Sequence, residues 1–267
     1  MKIDLLIPTR KRDGLLRGFV ESVDKMTTDK DCITLNYMVD NGDQETEPYV
    51  KALVDQYKHI KSEIHYINRQ NDIWEFNLNE QYYNYVARKV KGDLLFVVAD
   101  DLELTSLGWD QDVITEVTNF TVKYPDKIFC ISLLDNTKPP SHKLPKFACF
   151  PMYTKEARDA LQKTHCGGIL HAAIKTWGAD YISYVIFQPI DRLLIMHNKN
   201  YINHKSFHTK QVEVDETNEW IGKVFNQTKM RGGQRGMPLT DTLIAFDCPK
   251  IRNDLKEQIK QYYENQT

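Results

Sequence analysis

The sequence has no surplus of charge, no cysteine framework and no long apolar run, and each absence removes a class of function. Lysine and arginine number 35 against 37 aspartates and glutamates, a formal net charge of −2, so no global field draws the chain onto nucleic acid or an anionic membrane surface. The five cysteines, Cys32, Cys130, Cys149, Cys166 and Cys248, are odd in number, widely spaced and never in a C-x-x-C pair, which argues against a disulfide framework or a zinc ribbon. The apolar run in MKIDLLIPTR is too short for a signal peptide, and no stretch approaches the length of a membrane span. A reducing, cytoplasmic protein with no membrane span is expected. A glycine-rich phosphate loop with a lysine directly after the first strand is missing as well, PTRKRDG being only a faint version. There is no internal repeat.

What is present is alternation. Ile3 to Pro8 reads as a short buried strand, and Leu15, Leu16, Phe19, Val20 and Val23 then recur at helical spacing. Ile33, Leu35, Tyr37 and Val39 alternate toward VDNGD, where Asn41-Gly42 marks a turn. Val50, Leu53, Val54, Tyr57 and Ile60 return to the helical period, EIHYI reads as a strand and Phe76 to Val90 as a helix. The next strand, Leu94 to Val98, ends on two adjacent aspartates, Asp100 and Asp101. A βαβαβαβ order implies a mostly parallel α/β sheet with helices on both faces. In such sheets ligands lie in the crevice beyond the carboxyl ends of the strands. Thr9, Arg10, Asp40, Arg69, Asp100 and Asp101 all fall in loops at that rim.

The second half is less regular. A helix opened by Trp109 runs to about Val122, IFCISLL reads as a strand, and a long Pro-rich loop follows around Pro139 and Pro140. A helix through Ala157 and Leu161, a turn at Gly167-Gly168, a helix from about Asp191 to His197, the segment YINH, a helix from Asp215 and a charged terminal helix complete the reading. The expected organisation is one domain over residues 1–225, with a donor half to about 110 and an acceptor half beyond it, then a flexible loop and helix over 226–267.

Five stretches together resemble GT-A fold nucleotide-sugar glycosyltransferases of the broad family 2 type. They are IPTRKRDGLLRGFVESV, YMVDNGDQETEPYVKAL, NEQYYNYVARKVKGDLLFVVADD, LGWDQDV and YINHKSFHTKQVEVDETNEW. The resemblance spans roughly residues 3 to 225. It implies a Rossmann-like parallel sheet with a smaller, irregular acceptor region, and transfer of a sugar from a nucleotide sugar, a uridine diphosphate sugar first among candidates, to an acceptor hydroxyl with inversion. It also implies a divalent cation, Mn²⁺ or Mg²⁺, against the diphosphate.

Carried over residue by residue, the resemblance puts Asp40 on the base, where its alternative is an Asx-turn before Gly42. Pro8, Thr9 and Arg10 border the base and diphosphate, with Arg69 a further donor contact or a surface residue. Asn84 reaches the ribose or diphosphate, or satisfies an interior backbone group. Asp100 is placed nearer the donor and Asp101 on the metal, with His204 as a second ligand or a strand-end histidine bonded to backbone, and His208 in reserve. The first position of the family's D-x-D motif is Val98 or Ala99 here, and the usual Glu-Asp base motif is absent as such. Asp191 in FQPIDRLL is the candidate general base or a helix-end ion pair, and Asp180 in WGADY is its rival.

Lys229, Arg231 and Arg235 in KMRGGQRGMP could close over the donor phosphates, form a linker, or hold the backbone of a modified nucleic acid acceptor. Tyr82, Tyr83 and Tyr85 read as packing rather than site. Competing functions are a DNA-modifying glycosyltransferase, a nucleotidyltransferase and a non-catalytic nucleotide-sugar-binding protein.

Overall fold

In the computed structural model, residues 1–70, 75–135, 150–174, 179–196, 198–205 and 238–266 are described. The strands are β1 (Ile3–Pro8), β2 (Ile33–Asp40), β3 (Lys61–Ile67), β4 (Leu94–Val97), β5 (Leu102–Leu104), β6 (Cys130–Leu133), β7 (Pro151–Thr154), β8 (Leu193–Met196) and β9 (Ile202–His204). The α-helices are α1 (Asp13–Met26), α2 (Thr46–Gln56), α3 (Tyr85–Ala87), α4 (Trp109–Lys123), α5 (Lys155–Leu161), α6 (Ala179–Phe187) and α7 (Pro238–Glu264).

Seven strands form one sheet in the order β3-β2-β1-β4-β7-β6-β8, and within it only β7 runs against the rest. The α/β expectation for the first half holds for the strands β1 to β4 and for the helices α1 and α2. Leu5 stands opposite Leu35 on one side and Phe96 on the other, which aligns the inward residues of three parallel strands. Their alternation splits the core in two. Ile3, Leu5, Ile7, Leu35, Val39 and Phe96 pack with Leu16, Phe19 and Val20 of α1, Val50 of α2 and Trp109 of α4. Leu6, Met38, Leu95 and Val97 face the other way, onto Val86, Ala157, Ile186, Phe187 and the C-terminal helix residues Cys248, Ile251 and Leu255. Both faces of the sheet are thereby covered, as buried parallel strands require. Helix α7, in the segment read as an appendage, packs on α5 and α6.

Two elements differ from the sequence reading. The expected helix over Asp191 to His197 is a strand at Leu193–Met196, paired in parallel with β6. A short apolar run fits either state by periodicity, and the open edge of β6 decides for the strand. Asp191 turns into it in the left-handed region, φ 58°. The expected helix over Phe76 to Val90 is a π-helical turn, Asn79–Asn84, running into the short α3. The wider turn lets Tyr82 and Tyr83, adjacent in sequence, both bury against the sheet.

The second sheet has two strands only, β5 and β9, antiparallel, with Leu102 opposite His204. The Pro139 loop and the helix expected from Asp215 lie outside the described residues.

Candidate functional site

The carboxyl ends of β1, β2 and β4 lie side by side because these strands are neighbours and parallel. Beyond them the loop after β1 does most of the joining. Thr9 is fixed by a backbone hydrogen bond from its N–H to Met38 O, 3.2 Å. Its hydroxyl donates to Asp100 Oδ2 at 3.1 Å. Arg10 Nε lies 3.2 Å from Asp40 Oδ2, and Arg12 Nη1 lies 3.1 Å from Asp100 Oδ1 and 3.8 Å from Asp101 Oδ2. One loop therefore ties the exit of β2 to the exit of β4.

Around Asp40 the π-helical turn supplies a further partner, the Tyr82 hydroxyl, which donates to Asp40 Oδ1. Arg69 approaches the other oxygen at 3.7 Å and stacks over the Phe76 ring at 4.5 Å. Burial raises the Asp40 carboxyl above its ordinary range, and Tyr82, Arg69 and Arg10 work against that rise. Asp40 is thus a buried acceptor at the end of β2, flanked by two guanidinium groups.

Asp100 and Asp101 are buried as well. Burial pushes Asp100 up to about 6, with Arg12 pulling it down and the neighbouring Asp101 pushing it up. The β5–β9 register brings His204 to the pair from a hundred residues away in sequence: Lys205 N–H donates to Asp101 O at 3.0 Å, and His204 Nε2 lies 3.4 Å from Asp101 Oδ1. The Phe150 ring meets the imidazole edge-on, with centroids 5.1 Å apart. Tyr83 O–H donates to Val98 O at 2.6 Å and anchors the strand end just before the pair.

Among the described residues no three His, Cys, Asp or Glu side chains are arranged to hold a metal ion. The cation that Asp100 and Asp101 hold is the protein's own, the Arg12 guanidinium. By donor chemistry alone, carboxylates and an imidazole are groups that a divalent ion accepts, Mn²⁺ better than Mg²⁺ where nitrogen takes part.

The remaining expected residues fall in different places. Asn84 is fully buried, and its amide is spent on Leu170, accepting from the N–H at 3.0 Å and donating to the carbonyl at 2.8 Å, with a further bond to Glu80. Satisfaction of interior backbone, the alternative to donor contact, is what these bonds describe. Asp191 precedes β8 and so stands at the amino edge of the sheet, opposite the rim. Its carboxylate is 80% exposed and is bonded by Lys123 and Tyr124, which hold it below the usual range, Tyr124 most. The structure does not bring it to Asp100. Asp180 is in the first turn of α6. Helix α6 leads through the short 3₁₀ turn Gln188–Ile190 into β8, and among the described residues no bond between Asp180 and the Asp40 or Asp100 cluster joins it to the rim. Pro8 ends β1 beside Met38. His208, Lys229, Arg231 and Arg235 lie outside the described residues.

Sequence reasoning passed over Arg12, one of three bases in the run Arg10 to Arg12, and over Tyr82, read as packing. Spacing could have marked Arg12, since a side chain four residues past a strand end lies within reach of the neighbouring strand exits.

No protein-family model and no curated protein matches the sequence. Solved structures do match. The chain is similar to S. aureus TarS 1-349 in complex with UDP, at TM-score 0.52 and 10% identity over 92% of this chain and 70% of that one. It is also similar to the mannosyltransferase PcManGT from Pyrobaculum calidifontis in complex with GDP-Man and Mn²⁺, at TM-score 0.54 and 11% identity over 95% and 72%. GalNAc-T7 with UDP, GalNAc and Mn²⁺ aligns at TM-score 0.50 and 16% identity over 76% of this chain and 43% of that one. With its mostly parallel seven-stranded sheet covered by helices on both faces, the chain has the GT-A glycosyltransferase fold.

Proposed function

We propose that the chain is a glycosyltransferase that takes a sugar from a nucleoside diphosphate sugar, a uridine diphosphate sugar first, and passes it to an acceptor hydroxyl. The observation that carries this reading is the loop after β1, which binds Asp40 through Arg10 and Asp100 through Thr9 and Arg12. A buried acceptor and an acid pair thereby share one rim of a fold also found in proteins solved in complex with UDP or GDP-Man.

In this reading Asp40 accepts a hydrogen bond from the N–H edge of the base, and Pro8, Thr9 and Arg10 border base and diphosphate, with Arg69 behind them. Asp101, with His204 and Asp100, would hold a divalent cation, which when bound supplies positive charge against the leaving diphosphate. Arg231 and Arg235 are assigned to the same phosphates as a closing loop. The proton of the acceptor hydroxyl needs a carboxylate within hydrogen-bond reach. Asp180 is assigned that role in preference to Asp191, because Asp191 sits at the far edge of the sheet, before β8. Attack from the acceptor side opposite the diphosphate gives inversion.

The test is thermal unfolding with UDP, UDP-GlcNAc and GDP-mannose, each with and without MnCl₂, followed by donor turnover. One donor at a hundredfold excess over its dissociation constant stabilises by about 2.7 kcal/mol, and Asp40→Ala loses that shift. Asp180→Asn should lower turnover by about 10²–10⁴ fold, with Asp191→Asn unchanged. Stabilisation by no nucleotide sugar at any metal concentration removes the reading. Turnover lost in Asp191→Asn and kept in Asp180→Asn reverses the assignment of the base.

A further inference from the structure

The Arg12 side chain is unusual for a partner of buried acids. It is 23% exposed, whereas Asp100 and Asp101 are 4% and 7%, so it covers them from the solvent side. It hangs from a loop, just before α1, where its side chain makes no capping bond and where Lys11 beside it has φ 52°. A single nitrogen, Nη1, faces both carboxylates. Each acid has a second contact besides Arg12. Thr9 fixes the other oxygen of Asp100, and His204 faces the other oxygen of Asp101.

The guanidinium brings one positive charge to two carboxylates, and carboxylates are groups that a divalent ion also takes. A divalent ion and the guanidinium cannot share that position, since both are positive and a guanidinium has no lone pair to offer a metal. A diphosphate, in contrast, is the partner a guanidinium fits best, through paired N–H donors.

We propose that Arg12 is an exchangeable cation: it holds the Asp100–Asp101 pair until a divalent ion arrives, then transfers its guanidinium to the diphosphate of the donor. The proposal rests on the nucleotide-sugar reading of the site. Its consequence is coupling. A metal ion alone must expel Arg12 to water and binds weakly, whereas metal and diphosphate together give every charge a partner. By linkage each strengthens the other equally. The site then takes up the ion chiefly with its donor.

The experiment is titration of Mn²⁺, followed by electron paramagnetic resonance of the free ion, into wild type, Arg12→Ala, Arg12→Gln and Arg12→Lys, with and without saturating UDP. Circular dichroism confirms the fold, and melting in EDTA is recorded in parallel. Arg12→Ala and Arg12→Gln should bind Mn²⁺ alone about tenfold more tightly than wild type, within the roughly 5–150-fold range of such couplings, and UDP should strengthen their Mn²⁺ binding less. Both should melt lower than wild type in EDTA and recover with Mn²⁺, while Arg12→Lys, which keeps the charge, should stay near wild type. If wild type binds Mn²⁺ with UDP but both neutral variants bind the ion alone no better than wild type does, the role of Arg12 is overturned and the donor site stands. If no variant binds Mn²⁺ or UDP under any condition, both readings fall together.

Discussion

Gly168 and Asn84 form a contact whose removal gives a signed, quantitative outcome. A methyl group at Gly168 would lie 2.2 Å from Asn84 Cγ, 2.4 Å from Oδ1 and 2.5 Å from Nδ2, its three nearest atoms, all under the distance that real packing permits. The Gly168 backbone is not among the positive-φ positions, so Gly168→Ala should fail by crowding alone, at a cost of about 1–3 kcal/mol. Asn84→Ala acts differently. It strips both backbone partners from the buried Leu170, whose N–H and carbonyl the amide satisfies. Each orphaned group costs about 1–3 kcal/mol, so roughly 2–6 kcal/mol in all. With about 2 °C per kcal/mol for a chain of this size, the midpoint falls by roughly 4–12 °C. The double variant separates the mechanisms. Once Asn84 is alanine, the methyl of Gly168→Ala enters the space the amide left, so the pair should cost about 1–3 kcal/mol less than the sum of the singles. Urea unfolding of all four proteins gives the cycle. Additivity within about 0.5 kcal/mol would refute the claim that Asn84 is what forbids a side chain at 168.

Two other outcomes follow from buried charge. Arg192→Ala leaves Asp126, whose side chain is fully buried and whose two oxygens lie 2.8 and 2.9 Å from the single nitrogen Arg192 Nη1, without its cation; calorimetry should show a loss of about 3–5 kcal/mol, and Tyr263→Phe, which removes one hydrogen bond to Asp126, about 1 kcal/mol; equal losses would contradict the ion-pair account. Burial holds the His65 imidazole below its ordinary pKa, as it does His171. The unfolded chain then binds protons first, so stability is retained above about pH 6.5 and lost as pH falls toward the folded values. His65→Gln, which keeps a donor for Asn36, should flatten the slope of melting temperature between about pH 7 and 5 without abolishing it, and an unchanged slope would remove His65 from the account.

The parts of the fold legible in the sequence are those where one period dominates. The alternation at Ile33, Leu35, Tyr37 and Val39 and the helical spacing from Leu16 to Val23 point to β2 and α1 without help from elsewhere. Strand β8 was not legible, because the run Leu193–Met196 is too short for periodicity to choose a state and the choice is made by β6. The π-helical turn is invisible for a related reason: what favours it is the reach of Tyr82 to Asp40 and Tyr83 to Val98, and both partners are distant in sequence. Within the candidate site, the strand-end positions of Asp40, Asp100 and Asp101 could be read from order alone. The pairing of Arg12 needed more than its spacing from the end of β1, since a basic run looks like a solvated loop until two strand exits are known to be adjacent.

The short β5–β9 ribbon has a bearing on when the site comes into being. The two strands meet in three residue pairs, of which Leu102 with His204 is one, and side chains alternate along a strand, so a shift of a single residue would carry the imidazole to the opposite face. The ring reaches the acids only after two segments far apart in the chain have met in one frame. Its arrival therefore marks completed tertiary assembly, and a chain halted earlier in folding would present Asp100 and Asp101 without it.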